Sequence, residues 1–169
     1  MQLLPLRSRW LCTAAAILAA IPAAAAEPLT GKVVRVHDGD TVHCLRGDNV
    51  TVKVRLQGID APELGQPFGK ASRERLAELV MRKDVVLHEH GKDKFARTLG
   101  WLEVGGADVA AQMLADGLAW HYVKYDHSQT LAEAEQSARA AKRGLWADAK
   151  AMPPWEWRAS EHQRKAAAR

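Results

Sequence analysis

Residues 50–63 read Val50-Thr51-Val52-Lys53-Val54-Arg55-Leu56-Gln57-Gly58-Ile59-Asp60-Ala61-Pro62-Glu63. In this stretch Val50, Val52, Val54 and Leu56 alternate with Thr51, Lys53, Arg55 and Gln57. Strict alternation of this kind belongs to a strand with one face on a core and the other in water. Working back from it, Lys32, Val34 and Val36 predict an earlier strand, and Val42 and Cys44 share a face of a second. Asp38-Gly39 and Gly47-Asp48 read as the turns that join them. Three antiparallel strands in a meander follow.

Working forward, Phe68, Ser72, Leu76, Leu79 and Val80 recur at helical spacing. Two more short strands are expected near Val85–Glu89 and Thr98–Val104. A second helix starts at Asp108 as N-cap and ends where Gly117 supplies a left-handed residue. For a third, Thr130 and Glu133 form a capping box and Gly144 ends the helix. The expected fold is therefore α+β: a five-stranded Greek-key β-barrel of OB type with three α-helices.

The first 26 residues stand apart. Arg7 and Arg9 precede an apolar run from Trp10 to Ile21, and Ala24-Ala25-Ala26 offers a cleavage site before Glu27. This is the pattern of a secretory signal peptide, with an apolar run too short for a membrane anchor. The expected organisation is residues 1–26 as leader, 27–158 as one domain and 159–169 as a loose polar tail. Losing Arg7 and Arg9 halves the formal net charge of +4. Bulk charge is then too small to argue for a nucleic-acid partner, so any such case rests on where charges cluster. Cys44 alone would remain, which excludes an intramolecular disulfide.

Three segments carry chemistry. Asp38-Gly39-Asp40-Thr41 is acidic, although Asp-Gly is also an ordinary hairpin turn. In the second segment Arg55 lies on the polar face of its strand, and Asp60 and Glu63 lie on a turn stiffened by Pro62. Two carboxylates so close repel each other, a cost that a cation offsets. In the third, Lys92, Lys94 and Arg97 surround Phe95. Such a cluster is either a solvated face or a nucleotide-binding edge where phosphates meet cations and a base packs on the ring.

Taken together and in this order, these segments resemble the staphylococcal nuclease family. The resemblance continues through Gly117 to Tyr122, Lys142 to Trp146 and Pro153 to Arg158. It implies a calcium-dependent endonuclease acting on DNA and RNA; the leader adds export to the periplasm or medium, and a monomer is expected. It implies Asp40 and Asp60 as carboxylate ligands of Ca²⁺, with the backbone carbonyl of Ala61 as a further ligand. It gives Glu63 the role of general base and Arg55 and Arg97 that of phosphate clamps. Lys94 and Phe95 are the expected substrate-binding residues, and Tyr122 and Tyr125 either join them at the base-binding edge or pack as core aromatics. Where the family commonly has Tyr-Gly this chain has Phe95-Ala96, which removes one hydroxyl from the substrate edge and leaves ring packing.

These residue types suit phosphodiester hydrolysis. Oxygen-only ligands favour a hard cation, and calcium tolerates irregular geometry better than magnesium. Guanidinium grips phosphoryl oxygens bidentately and stays charged at any working pH. The alternative from another class is a non-catalytic OB-fold module that binds single-stranded nucleic acid.

Overall fold

The computed structural model describes residues 28–168, so the leader expected over residues 1–26 lies outside the described residues. Strands β1 (Leu29–Val36), β2 (Thr41–Arg46) and β3 (Thr51–Leu56) form the expected antiparallel meander. The two-residue strand β4 (Ile59–Asp60) leads to helix α1 (Gly69–Val80). Strands β5 (Asp84–Lys92) and β6 (Thr98–Val104) come next. Short β7 (Ala107–Asp108) runs into helix α2 (Val109–Ala115). Strand β8 (Trp120–His121), helix α3 (Gln129–Ala140), a 3-10 turn over Gly144–Ala147 and helix α4 (Pro154–Ala167) complete the chain.

The barrel closes because β1 pairs with β2 on one edge and β5 on the other, while β6 returns from β5 to meet β3. That last seam is parallel, with Val54 opposite Thr98, Arg55 opposite Leu99 and Leu56 opposite Gly100. Val33, Val42, Val54, Leu56, Val85, Leu87 and Leu102 fill the interior. Leu76 and Val80 of α1 and Met113 and Leu114 of α2 join the same core. Burying a side chain of this size contributes about 2 kcal/mol of transfer free energy. The barrel therefore supplies the stability that lets charged groups be held out of water beside it.

The expected closed barrel of five strands is present, with four α-helices among the described residues in place of three. Residues 159–167, expected as a loose extension, are the second half of α4. Pro154 sits in its first turn, where the missing N–H costs nothing, and Gln163, Arg164, Lys165 and Ala166 are strong helix formers. Helix α3 is capped by Ser128, whose hydroxyl accepts from the Leu131 amide at 3.4 Å, and not by Thr130. In β1, Val33 and Val36 are buried while Val34 is 48 % exposed. A register shift between Val33 and Arg35 turns that part of the strand over, as a bulge does. The Asp108 cap stands as expected, accepting from the amides of Ala110 and Ala111. Among the described residues no helix is long and apolar enough to cross a membrane.

Candidate active site

The acidic turn between β1 and β2 is organised by its own side chains. The Asp38 carboxylate accepts the Asp40 amide at 3.1 Å, and Thr41 Oγ1 donates to Asp40 Oδ1 at 2.9 Å. Asp40 Oδ2 accepts the amide of Ala61 at 2.8 Å, which ties this turn to the end of β4. Gly39 is dictated by packing. A Cβ there would stand 1.9 Å from Ser72 Oγ and 2.7 Å from the Ala61 Cβ, so only glycine lets α1 and the turn approach.

Arg55 leaves the polar face of β3 and turns into this acidic group. Its Nη1 donates to the carbonyls of Leu56 at 2.7 Å and Ile59 at 2.8 Å. Its Nη2 lies 3.0 Å from Asp60 Oδ1 and 3.2 Å from Asp40 Oδ2. One guanidinium thus staples the turn after β3 and bridges two aspartates. All three side chains are largely buried, at 12 % exposure for Arg55, 8 % for Asp40 and 2 % for Asp60.

Glu63 follows on the turn that Pro62 stiffens. Its amide donates to Gln66 Oε1 at 3.2 Å, and Gln66 Nε2 donates to the Met152 carbonyl at 2.6 Å. That link anchors the segment just before α4 against the site. From α4, Arg158 Nη1 donates to Glu63 Oε1 at 2.8 Å, and Nη2 donates to Asp60 Oδ2 at 2.8 Å. Arg158 was not among the residues expected from the sequence. Its signals were its place at the end of the Pro153 to Arg158 segment that carries the resemblance, and the Pro153-Pro154 pair, which fixes where α4 starts and so which face carries Arg158.

Arg97 comes from the loop between β5 and β6, on another wall. Asp93 shapes that loop by accepting the amides of Phe95 and Arg97 at 2.8 and 3.0 Å, and the Arg97 Nε at 2.7 Å. The Arg97 guanidinium also lies 5.6 Å from the centre of the Phe95 ring. Between these walls runs one groove of about 1100 Å³. Asp40, Arg55, Asp60, Ala61, Glu63, Lys94, Phe95, Arg97, Tyr122 and Tyr125 all line it. Arg55 touches both Asp60 and Asp40, whereas the hydrogen bonds of Arg97 go to Asp93 alone. Phe95 and Tyr125 are 68 % and 62 % exposed. Tyr122 is stacked on Trp155 at 5.2 Å and meets Tyr125 edge-on at 4.9 Å.

The electrostatics are those of a crowded acidic pocket. Burial, reinforced by Asp40, pushes the Asp38 carboxyl up to about 6. Burial also raises Asp60, against the opposing hydrogen bonds from Arg158. Burial opposes the charged form of Arg158, yet its hydrogen bonds to Asp60 and Glu63 hold the guanidinium above its ordinary value. Four carboxylates, Asp38, Asp40, Asp60 and Glu63, thus face two guanidiniums, which leaves two negative charges unmatched. Among the described residues no three acidic or imidazole groups form a ready-made metal cage. The donor set nevertheless fits a hard divalent cation, since it is all oxygen, carries that charge deficit and includes an aspartate whose burial disfavours ionisation.

With the geometry in place, comparison with known proteins gives the lineage. The family model described as "Staphylococcal nuclease homologue" matches residues 53–148. An "Uncharacterized endonuclease" of Haemophilus influenzae is 39 % identical over 86 % of this chain and 82 % of its own length. A "Micrococcal nuclease" of Shigella flexneri is 39 % identical over 86 % of this chain and 89 % of its own. A "Probable staphylococcal-like nuclease CAN4" of Oryza sativa is 45 % identical over 68 % of this chain but only 23 % of its own length. The matched segment takes in β3 from Lys53 onward, the β4 turn and the Arg97 loop, and so includes Arg55, Asp60, Glu63 and Arg97, while the Asp40 turn and α4 lie outside it. The chain belongs to the staphylococcal nuclease family.

Proposed function

We propose that this protein is an exported, calcium-dependent endonuclease that hydrolyses phosphodiester bonds of DNA and RNA with little sequence preference. One observation carries the reading. Three carboxylates and two arginines, drawn from segments far apart in a chain of a nuclease family, line a single groove. The leader-like composition of residues 1–26 supports export.

A phosphodiester repels hydroxide, and attack by water builds further charge on the non-bridging oxygens. Calcium held by Asp40 and Asp60, with the Ala61 carbonyl, would supply neutralising charge for the phosphate. Glu63 takes a proton from the attacking water or holds that water in line. Its carboxylate is aimed by the 2.8 Å hydrogen bond from Arg158, so its rotamer is set before substrate arrives. Arg55 is locked by two carbonyls and two carboxylates and presents a fixed donor to the phosphate. Arg97, held by Asp93 alone, supplies the second donor from the facing wall. Each such donor contributes about 3 kcal/mol to stabilising the charge of the transition state. Phe95, Tyr122 and Tyr125 offer ring faces to bases without reading their edges, in keeping with weak sequence preference. Lys94 stands beside Phe95 as a further phosphate contact.

The test is degradation of plasmid DNA and of an RNA transcript, with calcium and with chelator, by the wild type and Glu63→Ala. The expected result is cleavage of both substrates in calcium, none in chelator, and a loss of about 10²-fold or more in the variant. Activity in chelator, or an undiminished Glu63→Ala, overturns the mechanism.

A further inference from the structure

Helix α4 begins at Pro154, beyond the segment that the family model matches, and its Arg158 already reaches Glu63. The same face continues past that contact. Arg158, His162 and Lys165 recur four and three residues apart, which places them in one row along an α-helix. A second cavity of about 270 Å³ opens on this row and is lined by Glu63, Trp157, Arg158, Glu161, His162 and Lys165. Glu63, Arg158 and His162 border both this cavity and the main groove, so the two are continuous.

We propose that α4 extends the nucleic-acid groove. A single strand whose scissile phosphate lies between Arg55 and Arg97 runs on past Glu63, with its next phosphates along the Arg158–His162–Lys165 row and the Trp157 ring beside them. This rests on the nuclease reading and adds a subsite to it. Charge decides the occupant. Lys165 is exposed and free to reach a phosphate. Both acidic groups of this cavity are held by arginines, Glu63 by Arg158 and Glu161, drawn sideways, by Arg164. An acidic polymer matches a cationic row, and continuity with the catalytic groove makes that polymer the substrate strand. From Arg158 to Lys165 the row spans about 10 Å of helix axis. It is thus long enough to add phosphate contacts and too short to be a separate binding site.

The experiment uses fluorescent single strands of about four and about twelve nucleotides. Binding is read by anisotropy in chelator and cleavage by kcat and KM in calcium, for the wild type, Lys165→Glu and Glu161→Gln. The wild type is expected to bind the longer strand more tightly than the shorter. Lys165→Glu should weaken binding of the longer strand several-fold and lower the dependence of log Kd on log salt by about 0.7, one phosphate contact on a single strand. Glu161→Gln should act in the opposite direction. Neither change should alter kcat on the shorter strand. Equal affinity of the three proteins for the longer strand overturns the proposal. Failure of the wild type to cut either strand overturns the nuclease reading instead, and the anisotropy series still decides whether α4 binds the strand.

Discussion

Replacing Arg55 by alanine separates the two roles that the structure gives this residue. The guanidinium holds Asp40 and Asp60 and also satisfies the carbonyls of Leu56 and Ile59. Its removal leaves two carboxylates, exposed by only 8 % and 2 %, facing each other with less compensating charge. Breaking a buried pair from one side costs about 3–5 kcal/mol. Arg97→Ala removes a side chain that is 24 % exposed and bonded only to a loop neighbour four residues away, so its expected cost stays under about 1 kcal/mol. Both variants should lose roughly 10²-fold or more in kcat, as for other charge-stabilising donors. The assay is urea unfolding in chelator beside cleavage in calcium. With a slope of about 2 kcal/mol per molar, Arg55→Ala should move the midpoint down by roughly 2 M and Arg97→Ala by less than about 0.5 M. A loss of stability below about 1 kcal/mol in Arg55→Ala, or equal losses in both variants, would refute the stapling role.

Asp38 has a folded-state value raised from 3.8 to about 6, so the folded chain binds this proton more tightly than the unfolded chain does. Its contribution is fully present below 3.8 and is lost as pH rises through 6. Asp38→Asn should therefore flatten the decline in stability across that window and gain up to about 3 kcal/mol at pH 7.5, read from melts at a series of pH values. Arg158→Gln frees oxygens of Asp60 and Glu63. In chelator it should lose about 1 kcal/mol, discounted because Arg158 is 41 % exposed, and titration calorimetry should show calcium bound more tightly than by the wild type. Ala96 sits at φ +59°, in the left-handed region. Ala96→Gly should stabilise the Arg97 loop by about 1 kcal/mol, visible as a higher Tm with unchanged kcat.

Much of the candidate site's geometry was legible because its residues sit on strongly patterned sequence. The alternation ending at Leu56 places Arg55 on the polar face of β3, and Pro62 announces the rigid turn that holds Asp60 and Glu63. The barrel followed from the same period-2 signal. Helix α4 was missed because its polar, alanine-rich second half has no apolar face to mark a period. Helix propensity and the Pro154 start govern it instead. Arg158 was missed for a related reason, since its partner Glu63 lies 95 residues away and no local pattern encodes that contact. The bulge in β1 has the same character. Alternation through Val34 and Val36 assumes a regular strand, while the pairing with β2 shifts between Val33 and Arg35. Ser128 outcompetes Thr130 as cap because Asp126 accepts the Ser128 amide at 2.7 Å and fixes the entry one turn edge earlier.

The parallel seam between β3 and β6 sets when this chain becomes dangerous to nucleic acid. Arg55 pairs with Leu99, two positions past Arg97, so the facing walls of the groove are joined by the long-range pairing that closes the barrel. Contacts so far apart in sequence are gained only once loop-closure entropy has been overcome. Cys44 is unpaired, and among the described residues no disulfide can hold the walls together in advance. A copy that is unfolded, or folded only as far as the first meander, carries Arg55 and Arg97 without the groove that the proposed mechanism needs. The topology makes the groove a property of the closed barrel and of no smaller part of it.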